Sequence, residues 1–437
     1  MPFVILPLIV LFVASSAAQK LEPKLIQWGH TATLLLDGRV LLAGGTCGSG
    51  VQNCGREAQV YDPQSGEFSL VGPMLASRWQ HAATLLADGR VLITGGAGGK
   101  PGAPLAEIFD PRSNTFLPTG DLGHYRRTHT ATLLTSGKVF VAGRIPELFD
   151  PESGAFSEVP ANGLPGWPET SALLPDGSLH LSGSYLSYSW TATSLPVNPI
   201  FLSQYREHIG RIELIAGNHR RAGPYLHAMT VMTDGRVLTT GGCNDPYGFD
   251  ATSDVEIYDP KAASYRRLEH SMPARHSHQS TLLADGRVLI TGGWDGFSLD
   301  DIALFDPASE GFIRLPAMQS PRSYHTATLL RDGSVLLAGG VIGAASAEII
   351  KLENAIPAPE IAAAPSGDFL EIYATGFQPQ HSLRPFVFVD GRIAEIVYFG
   401  PASGIPGVQQ INVRVPAQAR RGEAVPIQIN HLGRPSN

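Results

Sequence analysis

The chain is 437 residues long, 43% hydrophobic and only 16% charged, with 48 glycines and 34 prolines. That composition excludes a disordered or helix-dominated protein and fits a turn-rich globular chain of two or three domains, or one large all-β domain with an appendage. The formal net charge of -7 excludes a basic surface of the kind that binds nucleic acid.

In chain order, residues 1–18 stand apart. An almost wholly apolar run, Val4 to Val13, precedes Ser16-Ala17-Ala18, which reads as a secretory signal peptide cut after Ala18. The run is too short to span a bilayer, so a membrane anchor is the weaker alternative, and no later segment is apolar enough to be one. Export of a monomer, as a secreted, cell-surface or periplasmic bacterial protein, is the expectation. Of the three cysteines, Cys47 and Cys54 share one loop. A disulfide between them would stabilise by about 2–3 kcal/mol. Cys243 is left over and reads as a buried thiol.

From residue 30 a unit recurs at fixed internal spacing. Its clearest copy is HAATLLADGRVLITGG over 81–96, and its counterparts begin at His30, His129, Glu169, His227, His278 and His325. The turn glycine falls eight residues after the first position and the first glycine of the closing pair fourteen after it. Asp-Gly between two apolar runs reads as a two-residue hairpin turn. A third strand then ends in Asp62-Pro63, Asp110-Pro111, Asp150-Pro151, Asp259-Pro260 or Asp306-Pro307, always nineteen residues before the next unit. Proline stops a strand because it cannot donate to a ladder. A fourth strand follows, as at 67–71 or 311–315. Seven such units predict a ring of four-stranded blades, a β-propeller.

Two units depart from the pattern. The third has Arg144 for the second glycine. The fourth has Glu169 for histidine, ends at Gly183-Ser184, lacks Asp-Pro and carries extra residues at 184–199. Its third and fourth strands are expected near 200–206 and 211–216. The seventh unit runs out after its third strand, Ala347–Leu352, and the segment around Leu21–Gln27 is expected to supply the fourth and close the ring. A six-bladed ring with the fourth unit as an insertion is the alternative.

The double glycine, the aromatic-Asp before a turn and the arginine ahead of the first strand resemble the kelch repeat over residues 21–353, which implies a seven-bladed kelch-type β-propeller at 19–353. Residues 354–360 form a proline-bearing linker. Short strands separated by turn signals then imply a small β-sandwich at 361–437. Its pattern, from IYATG through VYFGP to GVQQINVRVP, resembles an Ig-like module found on exported proteins of soil acidobacteria.

The first position of each unit and its double glycine lie at the same end of a hairpin, so one face of the ring is expected to gather the variable loops and any binding site. The recurring histidines read as architecture, because a residue that repeats in every unit does the same job in each. The candidate ligand-binding residues on this face are Arg78, Trp79, Arg126, Tyr225, Asp245, Arg275, Trp294, Asp295, Arg322 and Tyr324. Aromatics mixed with charges suit a carbohydrate or protein ligand. No nucleophile elbow, phosphate loop or zinc spacing occurs. The leading expectation is a binding protein without a cofactor or metal.

The alternative is an enzyme. The stretch RSYHTATLLRDGSVLLAGG, 322–340, resembles the segment of galactose oxidase and glyoxal oxidase that supplies a tyrosine–histidine pair to copper. That resemblance implies Tyr324 and His325 as ligands of a copper-radical oxidase. It also implies a cysteine cross-linked to a second tyrosine and a further histidine from the sandwich. The cysteines here sit in or beside glycine-pair loops, and the only tail histidines are His381 and His431.

Overall fold

Seven four-stranded antiparallel sheets and one seven-stranded sheet make up the computed structural model. It describes residues 20–21, 28–46, 55–99, 102–160, 167–184, 200–214, 225–245, 248–269, 272–340, 346–352, 361–366, 369–374, 385–389, 392–402, 408–417, 419, 427–431 and 434–435. Blades 1 to 6 run over 31–70, 82–118, 131–158, 167–214, 228–267 and 279–315. Blade 7 joins Thr326–Leu329, Val335–Ala338 and Ala347–Ile350 to Lys20–Leu21, which pairs antiparallel with the third strand. The first strand of the described residues thus closes the ring. Blade 4 is a full blade, with its third and fourth strands at Ile200–Arg206 and Arg211–Leu214, so the six-bladed alternative fails.

Burial rises and falls across each blade, and the sequence follows it. The innermost strands, such as Thr31–Leu34 and Thr326–Leu329, are half-buried throughout. The second strands, VLLA or VLIT, are buried at every position, because neighbouring blades cover both their faces. Such strands read as unbroken apolar runs rather than alternating ones. The outermost strands are mostly exposed. The cores therefore lie between blades. Leu41, Ala43 and Val60 of blade 1 pack against Val91, Ile93 and Phe109 of blade 2. Val40, Leu42 and Tyr61 pack against Leu336, Ala338 and Ala347 of blade 7.

The recurring motifs each close a local account. The Asp-Gly turn is a three-residue loop, not the two-residue turn expected. Gly38 N–H donates to Leu35 O, Leu35 N–H pairs with Arg39 O, and Gly38 sits at φ 90°. This is a type I turn followed by a left-handed glycine. Asp37 accepts from the Arg39 N–H at 3.0 Å, which is why aspartate precedes the glycine. Arg39 and Arg90 then reach the Pro111 and Pro151 carbonyls of the next blade. The aspartate of Asp-Pro caps its own turn, as where Asp62 accepts from the Gln64 N–H at 2.8 Å. The aromatic before it packs at a tilt against one seven residues on: Tyr61 against Phe68, Phe109 against Phe116, Phe149 against Phe156, Tyr258 against Tyr265 and Phe305 against Phe312, with centroids 4.7–5.2 Å apart. Each pair is worth about 0.5–1.5 kcal/mol beyond its buried area.

The seven-stranded sheet of the tail takes the order 361–366, 369–374, 409–414, 392–401, 386–389, 427–431, 434–435. The long strand Arg392–Pro401 pairs on both sides and shifts register between Ile396 and Tyr398. Leu370 and Ile372 from one end share a single core with Val387 and Ile429 from the other. The sheet therefore folds over on itself into two layers joined through that strand.

Candidate ligand-binding face

Around the central mouth, the residue just ahead of each first strand adopts a left-handed backbone: Gln80 (φ 54°), Thr128 (50°), Leu226 (57°), Ser277 (53°) and Tyr324 (55°), with Gly29 at 73° in blade 1. This turn lets the backbone amides link blade to blade. Gln80 N–H donates to Gly29 O at 2.8 Å, Thr128 to Gln80 at 3.1 Å, Ser277 to Leu226 at 3.1 Å and Tyr324 to Ser277 at 2.9 Å. Blade 4 breaks the rim. Pro168 has no N–H to give, and the Leu226 N–H turns instead to the Glu169 carboxylate at 3.3 Å.

The six histidines are clasps between blades. Each places Nε2 against a threonine hydroxyl of the preceding blade: His30 with Thr326, His81 with Thr31, His129 with Thr94, His227 with Thr170, His278 with Thr240 and His325 with Thr291, all at 2.8–3.0 Å. Between blades 3 and 4, where Glu169 replaces histidine, Thr130 and Thr132 share Ser171 at 2.6 and 2.7 Å. Burial pushes the His30, His81, His129 and His325 imidazoles down to a pKa of about 3, so they are neutral. The expectation that they are architectural fits this geometry.

The four arginines do not face a ligand, and their place among the binding residues is corrected. Arg78, Arg126, Arg275 and Arg322 are at most 4% exposed. Each is paired with a carboxylate in its own blade: Glu107, Glu147, Asp301 and Glu348. Arg78, Arg275 and Arg322 also donate to the carbonyl of the first closing glycine, at Gly95, Gly292 and Gly339. A buried guanidinium needs this many partners, and its loop supplies them.

The remaining candidates divide. Tyr225 is buried and bridged to Cys243. Cys243 is a free, buried thiol, and burial raises its pKa to about 11. Asp245 braces its own loop, accepting from Asp250 N–H at 2.6 Å and from the Cys243 thiol at 3.1 Å. Trp294 is half-buried opposite His276, and Asp295 is exposed. The expected Cys47–Cys54 disulfide, the signal peptide and His381 lie outside the described residues. The half-buried side chains Trp79 and Tyr324 do come to the mouth, joined by Trp28 and His276. Trp28 lies 5.2 Å from Trp79 and 6.0 Å from Tyr324, and His276 lies 6.4 Å from Tyr324, centroid to centroid. Trp28 and His276 were missed in the sequence, although both stand two residues before a first position, as Trp79 does.

No protein-family model and no curated protein matches the chain. A solved structure does: a fungal alcohol oxidase of the AA5 family in complex with copper, at 19% identity and a TM-score of 0.64, covering 96% of this chain and 97% of that one. At that identity the likeness establishes a shared fold, over the propeller and the tail together. It also overturns the expectation of no cofactor, since that neighbour carries copper.

The residues here meet only part of what copper needs. Tyr324 fits: its phenol makes no hydrogen bond to a described residue. His325 is half committed: its Nε2 is held by Thr291, while its buried Nδ1 has no hydrogen-bond partner among the described residues. The neighbouring His276 is held as well, by Ser277 and by the Gly248 carbonyl. Among the described residues no three His, Cys, Asp or Glu side chains gather into a metal site. One free phenol is short of a copper centre.

Proposed function

We propose that the chain is an exported oxidase of the copper-dependent kind, acting on an alcohol group presented to the mouth at Tyr324. The whole-length match to a copper-bound alcohol oxidase supports the activity. The observation that carries the site is Tyr324 itself, a tyrosine with an uncommitted phenol set between Trp28 and His276. In this reading the aromatic rings hold the substrate's carbon skeleton and exclude water, and Tyr324 presents its hydroxyl to the reacting carbon's oxygen. Export rests on the apolar leader followed by Ser16-Ala17-Ala18; among the described residues no helix is long and apolar enough to cross a membrane.

A second reading, recognition of a carbohydrate or protein without turnover, is favoured by one observation: His325 clasps Thr291 as its five counterparts clasp theirs. Copper titration of the purified full-length chain, followed by electron paramagnetic resonance and a peroxide assay with primary alcohols, separates the two. The oxidase reading expects about one copper per chain and peroxide release, with Tyr324→Phe losing at least tenfold in turnover. Absence of stoichiometric copper or of peroxide release overturns it in favour of the binding protein, and peroxide release unchanged in Tyr324→Phe removes Tyr324 from the site.

A further inference from the structure

We propose that Tyr265 and His180, at the seam between blades 4 and 5, form a redox-active pair: the phenol gives an electron to a diffusible one-electron oxidant and its proton to the imidazole. The pair lies toward the hairpin-turn end of the blades, away from the mouth, and neither copper nor Tyr324 takes part.

The repeat lets the seams be compared position by position. Three residues after each turn glycine, the second strand carries Leu41, Leu92, Phe140, His180, Leu238, Leu289 and Leu336. This side chain meets the ring pair of the following blade. Leu41 shares a core with Phe109 and Phe116, Leu92 with Phe149 and Phe156, Leu238 with Phe305 and Phe312, and Leu336 with Tyr61 and Phe68. His180 alone puts a titratable group in that slot. Seven residues after the aromatic of each third strand stand Phe68, Phe116, Phe156, Ile212, Tyr265 and Phe312, so Tyr265 alone puts a hydroxyl there. The two departures face each other across one seam.

His180 is wholly buried. Its ring stacks on Tyr258, with centroids 4.5 Å and planes 18° apart, and its Nε2 stands 2.6 Å from the Tyr265 hydroxyl oxygen. Its Nδ1 has no hydrogen-bond partner among the described residues. Ala172, Leu174, Val231 and Val237 line the same seam. An imidazole and a phenol in place of leucine and phenylalanine cost desolvation there, which one hydrogen bond offsets only in part. Packing alone therefore does not account for the pair. Burial holds the imidazole down to a pKa of about 4, so it is neutral and able to take a proton. Tyr265 is half-buried on the outermost strand, Ser264–Arg267, where an oxidant in solvent reaches the ring. Tyr258, 4.7 Å away, is buried behind it.

In the step, Tyr265 donates its hydroxyl hydrogen bond to Nε2. The O–H bond breaks as one electron passes to the oxidant, a radical or a high-valent metal complex, which is reduced by one. The proton forms an N–H bond on Nε2, leaving a neutral phenoxyl beside an imidazolium. A base already at hydrogen-bond distance spares the phenol a charged radical intermediate.

The test is oxidation of the full chain, copper-free, by hexachloroiridate(IV). Stopped-flow absorbance follows the rate, and freeze-quench electron paramagnetic resonance reads the tyrosyl radical. His180→Leu and Tyr265→Phe restore the residues of the other seams, so both should fold, and circular dichroism checks it. Tyr265→Phe should remove most of the radical yield, and His180→Leu should slow its formation about tenfold or more. The slowing should come with loss of the parent's solvent deuterium effect. Tyr373→Phe, in the tail, should leave rate and yield unchanged. If His180→Leu does not fold, His180→Phe, the residue of the seam between blades 3 and 4, takes its place. The proposal is overturned if folded Tyr265→Phe gives the parent's radical yield, or if the folded His180 variant forms the radical at the parent's rate. Variants that change urea stability but oxidise as the parent does also overturn it, and leave the pair a packing device.

Discussion

Blade 6 and blade 4 solve the same packing problem with different residues. In blade 6, His278 clasps Thr240, Arg275 is locked to Asp301 and the Gly292 carbonyl, and the Ser277 amide continues the rim. In blade 4, Glu169 stands where the histidine would be and Pro168 interrupts the rim. The polar link to blade 3 passes to Ser171, held by Thr130 and Thr132. What each of these seams holds is a polar bridge inside an apolar interface, and histidine is one way to supply it through Nε2. A set of six histidines around an axis is therefore evidence about seams, not about a metal.

The largest consequence is in acid. With pKa values of about 3, His30, His81, His129 and His325 stay unprotonated when the same residues in an unfolded chain, near 6.5, take up protons. Between about pH 6.5 and 3 the unfolded state thus binds more protons, so stability rises with pH and is lost as pH falls through that window. Each histidine contributes about 1.4 kcal/mol per pH unit. Acting together they should exhaust a typical stability of about 5–15 kcal/mol within roughly one to three pH units. Thermal scans from pH 7 to pH 4 should show Tm falling steeply below about pH 6, and His81→Gln should flatten the fall. A Tm that holds to pH 4 would contradict the clasp.

Next comes the arginine. Arg275 is wholly buried, and Arg275→Ala strands Asp301 without its main partner. Urea unfolding should register a loss of about 3–5 kcal/mol. A loss under about 1 kcal/mol would return the arginines to the ligand face. His278→Ala should cost less, about 1–3 kcal/mol, since the Thr240 hydroxyl it orphans is a neutral partner.

The architecture was legible because the repeat is written in backbone requirements: glycine at φ 90° in the turn, aspartate capping it, and apolar runs for strands covered on both faces. The closing strand was expected around 21–27, and its described part is Lys20–Leu21. The turn type was misread because Asp-Gly serves both two- and three-residue hairpins. At the mouth, the arginines looked like ligands because their carboxylate partners lie 21–29 residues further on, a distance with no local pattern. Trp28 escaped notice for the opposite reason. It sits in the least repetitive stretch of its unit, and only the shared offset with Trp79 marks it.

The smallest expected effect probes whether the blade 4 departure is tuned. Glu169→Gln keeps an acceptor for the Leu226 N–H and should change stability by about 0.5 kcal/mol or less. Glu169→His is more informative. In blades 1, 2 and 5 the histidine partner is the threonine just after the first position of the preceding blade. For blade 4 that residue is Thr130, already bonded to Ser171. The imidazole would gain a clasp only by displacing one, while Leu226 loses its acceptor and Pro168 still offers no amide. A net loss of about 1 kcal/mol in urea unfolding follows. A gain of that size would mean blade 4 is a decayed copy of the others, with nothing at the mouth depending on its glutamate.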